Sequence, residues 1–172
     1  MSRLRKVTII LVGLGLAIFA PLTWYKSNYS MDIAQALTVT VPNAKHQLLI
    51  ASQGSVYKNS VVEGIIAAAK ERQMAIEVID VSGLSTVKLE DWNVIVILHT
   101  WENWTPQVDA KTFLQRHPNR DKIIVLTTSG QGELKMPGVD AITSASLSAH
   151  APLHVAEIMR RIDAVIANSN EQ

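Results

Sequence analysis

Three stretches of this chain gather the residue types that hold ligands. Residues 52–60 read Ser-Gln-Gly-Ser-Val-Tyr-Lys-Asn-Ser. Hydroxyls, a glycine and the unsatisfied N–H groups of a helix start make an anion site, to which Lys58 adds charge. The plainer reading is a helix capped by Asn59 or Ser60 after a turn at Gly54. Residues 99–106 read His-Thr-Trp-Glu-Asn-Trp-Thr-Pro. Trp101 and Trp104 offer a flat wall for a planar ligand, or two rings packed over the end of a sheet. Residues 127–133 read Thr-Thr-Ser-Gly-Gln-Gly-Glu, where Gly130 and Gly132 let the backbone approach a ligand. This is no nucleophile elbow, because Thr127 stands where a glycine would precede Ser129, and no Walker loop, because the Gly-Lys-Ser/Thr ending is missing. His99 is the best single acid–base candidate, and Glu102 and Glu133 are carboxylates whose separation the sequence does not fix. His150 and His154 have the four-residue spacing of a helical metal pair, but no carboxylate accompanies them and no metal is expected. The hydroxyl-rich turn at 143–146 reads as a cap. The chain holds no cysteine, which excludes disulfides, thiolate nucleophiles and thiolate metal sites.

These stretches need elements to position them. Residues 47–51, 75–81, 93–98, 122–127 and 139–143 read as five strands; the third and fourth are the continuous β-branched runs of strands buried on both faces. Residues 60–72, 106–116 and 152–168 read as helices, two with a proline in the first turn. Val61, Val62, Ile65, Ile66 and Ala69 give the first its apolar face. Strands alternating with helices imply an α/β fold with a five-stranded parallel sheet flanked by helices. The order 2-1-3-4-5 brings the three loops to the carboxyl ends of the strands, where the order reverses and ligands bind. Residues 128–138 are short for a helical crossover.

Over roughly 46–168 this layout resembles the flavodoxin-like family. The resemblance rests on the hydroxyl-rich turn at 52–60, on Asp91-Trp92-Asn93-Val94-Ile95-Val96-Ile97-Leu98 leading to an aromatic turn, and on Leu126-Thr127-Thr128-Ser129-Gly130. It implies that Ser52, Ser55, Asn59 and Ser60 bind the phosphate of FMN, that Thr100 and Trp101 flank the flavin ring, and that Ser129 and Gly130 meet its edge. The family's Thr/Ser-x-Thr-Gly-x-Thr phosphate turn is not present: Gly54 comes early and Tyr57-Lys58 interrupts the hydroxyl run.

The first residues supply an address. Arg3, Arg5 and Lys6 precede an uncharged run of 19 residues, 7–25, which Lys26 closes. As a helix it spans about 28 Å, near the ~30 Å of a hydrocarbon core. Trp24 and Tyr25 suit a headgroup boundary, and the basic flank predicts a cytoplasmic N-terminus. The expectation is therefore an N-terminal transmembrane helix over 1–26, a spacer over 27–45, an exported domain over 46–168 and a tail over 169–172. The competing expectation is a cleaved signal with a periplasmic or secreted domain. Ala34-Gln35-Ala36 has the form a peptidase prefers but lies far from the run, and Pro21 opposes cleavage after Ala20. Beyond Lys26 the chain has 12 Lys+Arg and 15 Asp+Glu, so no nucleic-acid partner is expected. Two functions fit. One is a membrane-tethered domain that binds FMN or a similar phosphorylated planar ligand. The other is a cofactor-free binding or assembly module in a cell-envelope complex, with a membrane-protein partner.

Overall fold

The computed structural model of the chain describes residues 5, 8, 11–21 and 31–170. The chain divides into two units, Met1–Met31 and Asp32–Gln172. In the first, residues 11–21 form a helix, α1, whose Leu11, Leu14, Leu16 and Phe19 are all at least 60% exposed. No helix among the described residues is long and apolar enough to cross a membrane, which corrects the expected transmembrane helix. The described run 11–21 accounts for about 16 Å of rise, roughly half a hydrocarbon core. Residues 1–4, 6, 7, 9, 10 and 22–26 of the expected anchor lie outside the described residues, as do 27–30 of the spacer and 171–172 of the tail.

The second unit runs β1 (Asp32–Ile33), β2 (Leu37–Val39), β3 (His46–Gly54), α2 (Val56–Glu71), β4 (Met74–Asp80), two 3₁₀ turns (Val81–Thr86 and Leu89–Asp91), β5 (Val94–Glu102), β6 (Thr105–Pro106), α3 (Val108–Arg116), β7 (Ile123–Thr128), β8 (Ala141–Ser144), a third 3₁₀ turn (Ser148–His150) and α4 (Ala151–Asn170). The strands form one mixed sheet of eight, ordered β2-β4-β3-β5-β7-β8, with β1 on β3 and β6 on β5. This corrects the five-stranded parallel sheet. β4, β3, β5, β7 and β8 are mutually parallel, but β2 runs antiparallel to β4, β1 to β3 and β6 to β5. The three added strands have two or three residues each, too few for a period to show. β1 and β2 fall in the stretch that reads as a spacer. β2 becomes a strand because β4 offers a free edge, with Leu37 opposite Val78 and Val39 opposite Ile76.

Alternation along the parallel strands separates two cores. Leu48, Ile50, Val96, Leu98 and Leu126 face α2 and α4, where Val61, Ile65, Ile158 and Ile162 meet them. Leu49, Ala51, Ile95, Ile97 and Val125 face the first 3₁₀ turn and α3, against Leu84 and Phe113. Gly64 lets α4 approach α2 closely: a Cβ there would lie 2.7 Å from Val155 Cγ2. β7 reaches the parallel β8 without a helix. The connecting loop is tied instead by Ser129 Oγ, which accepts from Gly132 N at 3.0 Å and Glu133 N at 3.2 Å.

Candidate functional site

The carboxyl ends of β3, β5 and β7 are adjacent in the sheet, so the loops that follow them emerge at one end of it. The first differs from the sequence reading in where its helix starts. Ser55 is the N-cap of α2, with an extended backbone and a hydroxyl accepting from Lys58 N at 3.2 Å. Asn59 and Ser60 are therefore inside the helix. Asn59 N donates to Ser55 O at 2.8 Å, and Ser60 Oγ donates to Val56 O at 3.0 Å. Neither caps the helix, and they lie on different hollows. Ser60 lines an open groove of about 750 Å³ between α2 and α4, with Gly64, Val155 and Met159. Asn59 and Ser52 line another, of about 450 Å³, beside Asp32, Ile33 and Val78. Ser52 is buried, its hydroxyl donating to Gln53 O at 2.9 Å. Of the four residues that resemblance assigns to phosphate, Ser52 and Asn59 line one hollow, Ser60 lines the other and Ser55 caps α2.

An early helix start has a second consequence, which the sequence reading missed. It sets Lys58 on the apolar stripe of α2, three residues before Val61 and seven before Ile65, facing the sheet. Lys58 is fully buried. Its Nζ donates to Thr100 Oγ1 at 2.6 Å, and Thr100 Oγ1 shares a 2.8 Å hydrogen bond with Thr128 Oγ1. Burial pushes the ammonium down to about 8, against the pull of the Glu102 carboxylate. Gln53 braces the same strand end from the other side. Its Oε1 accepts from Thr100 N at 2.6 Å, and its Nε2 donates to Glu102 Oε1 at 3.3 Å.

The remaining sequence candidates are placed as follows. Trp101 is half-buried and its Nε1 has no hydrogen-bond partner among the described residues, while Trp104 is 83% exposed. Ser129 is buried, with its hydroxyl engaged by its own loop, and Gly130 is exposed. Glu133 is exposed, its N–H held by Ser129 Oγ, whereas Glu102 engages Gln53. His99 is buried, and its Nδ1 has no hydrogen-bond partner among the described residues. Burial, with the Lys58 charge adding to it, lowers its pKa to about 4 against a backbone bond at Thr100. It is neutral at pH 7 and a poor general base there. His154 shares a 2.7 Å hydrogen bond with the buried Tyr57 hydroxyl, and its ring stands 6.2 Å from that of His150. Burial raises the Tyr57 pKa; burial, then His150, lowers that of His154. Among the described residues, no group of three His, Cys, Asp or Glu could hold a metal ion.

The arrangement can fix the end of β5 by charge-assisted hydrogen bonds. No known family model and no curated protein matches the chain.

Proposed function

We infer that the second unit is a cofactor-free, flavodoxin-like binding or assembly module. One observation carries this reading: the Lys58 ammonium is inserted among the strand ends, 2.6 Å from the Thr100 hydroxyl that would otherwise meet a flavin ring. Several of the polar groups that FMN would need are engaged within the protein. Thr100 and Thr128 hold each other and Lys58, and Ser129 holds its loop. Ser55 caps α2, so its hydroxyl is engaged with Lys58 N. To admit a flavin ring at Thr100, the domain would have to withdraw the bonds among Lys58, Thr100 and Thr128, each worth roughly 0.5–1.5 kcal/mol net and more where charged.

The test is an FMN titration of the purified chain, read by tryptophan fluorescence and by melting temperature. The expected result is no saturable quenching and no thermal shift. Stoichiometric quenching together with a rise in melting temperature would establish FMN binding and end this reading.

A further inference from the structure

The carboxyl end of the sheet carries apolar surface that folding leaves uncovered. Ile33, Val56, Trp104 and Val108 are 81, 79, 83 and 67% exposed. The backbone groups the first three around Gln53. Ile33 is the ladder partner of Gln53, and Val56 follows it at the start of α2. The Gln53 amide bonds Glu102, two residues before Trp104. Val108 opens α3 just after β6, whose Pro106 pairs with Trp101.

Trp104 is also held in an unusual way. β5 and β6 close with a two-residue turn, Asn103–Trp104, whose φ angles are 49° and 63°. Left-handed backbone suits Asn, but a bulky residue rarely adopts it. Thr105 Oγ1 donates to Glu102 O at 2.8 Å and helps to close the turn. The indole is thus presented at the tip of a short, closed hairpin, where it contributes almost nothing to the protein's own packing. A rigid aromatic at such a position has the properties of an interface anchor.

Charge selects among occupants. Asp32 and Glu102 are exposed within the patch. Residues 31–36, 52–57 and 101–108 contain no Lys or Arg, and the neighbouring Lys58 is buried. The Asp32 and Glu102 carboxylates favour a basic partner. They repel both an anionic lipid surface and the same acidic patch on a second copy.

We propose that this patch docks a protein partner that sets Lys or Arg side chains around an apolar pocket for the Trp104 indole. The proposal rests on the module reading and deepens it by naming the surface and the chemistry of its partner.

The experiment places p-benzoylphenylalanine at Val56 of the full chain, and at Asn119 as a control, in the cells that make the protein. Asn119 precedes β7, at the opposite end of the strands. Irradiation should give a discrete adduct from position 56 and none from 119. The peptide captured from the other protein should carry Lys or Arg beside apolar residues. Adduct yield should fall about tenfold in Trp104→Ala and in the Asp32→Asn/Glu102→Gln double variant, both with melting temperatures near the parent's. In washed extracts, raising the salt from about 50 to about 500 mM should weaken it severalfold. The docking surface is overturned by no adduct, by an adduct to lipid or to a second copy of this chain, by equal capture from 119, or by a yield indifferent to salt and to these variants. FMN binding defeats the module reading whatever the crosslinks show; no FMN binding together with no adduct defeats the docking surface alone.

Discussion

Lys58 makes the folded domain depend on pH in a direction opposite to that of a paired surface lysine. Its ammonium is fully buried, with its pKa lowered from 10.5 to about 8, first by burial and against the attraction of Glu102. In the unfolded chain it titrates normally. Between those two values the unfolded state binds more protons than the folded one, so stability rises with pH. The whole effect is ~3 kcal/mol, at 1.36 kcal/mol for each pKa unit of the gap. Between about pH 7 and 9.5, roughly 2 kcal/mol of it should appear. Stopping there keeps clear of Tyr57, whose raised pKa removes stability as the unfolded phenol ionises near pH 10. Lys58→Met is the control. It fills the same stripe, and it leaves Thr100 and Thr128 bonded to each other at 2.8 Å. Urea unfolding of both proteins across this range should show the parent gaining about 2 kcal/mol on the variant. A difference that stays flat would mean that Lys58 titrates as a solvated lysine, and the clamp at the end of β5 would lose its physical basis.

Two further substitutions probe the same framework. Trp104→Gly creates Asn-Gly, the preferred sequence for the left-handed pair of this turn. Relief of ~1–2 kcal/mol of strain outweighs ~0.5–1 kcal/mol of added chain entropy. The melting temperature should rise by about 1–4 °C, and a fall would show that the exposed indole packs on the domain after all. Gly64→Ala puts a Cβ 2.7 Å from Val155 Cγ2 at the α2–α4 contact. It should cost ~1–3 kcal/mol, seen as a lower urea midpoint; an unchanged midpoint would mean that α4 shifts without penalty.

The long buried strands were legible because a continuous β-branched run has few other uses. Residues 93–98 and 122–127 read as strands and lie within a residue of the starts of β5 and β7. β1, β2 and β6 were not legible, since two or three residues carry no period and exist as strands only through their partners. At the first loop one boundary differs. The first helix reads as starting at Ser60, but Ser55 caps it and α2 begins at Val56. That displacement of about one turn moved Asn59 and Ser60 from a loop into the helix and turned Lys58 inward. A signal for it was available. Lys58 lies three residues before Val61 and seven before Ile65, on one helical face, but a lysine in that stripe reads more readily as a chain reaching solvent.

The two energetically unfavourable features of this end of the sheet are joined by one network. Lys58 holds Thr100 through its hydroxyl, and Gln53 holds Thr100 through its N–H. Gln53 also holds Glu102, where the hairpin that carries Trp104 begins. A buried ammonium and a left-handed tryptophan each cost stability, and a surface hairpin needing only to close would use neither. Together they fix the direction of an exposed indole: the cation locks the last regular residues of β5, and the strained turn fixes what projects beyond them. On this argument Lys58 is a positioning residue for the Trp104 surface. The strand ends, where open α/β sheets place ligands, hold the Lys58 ammonium against Thr100.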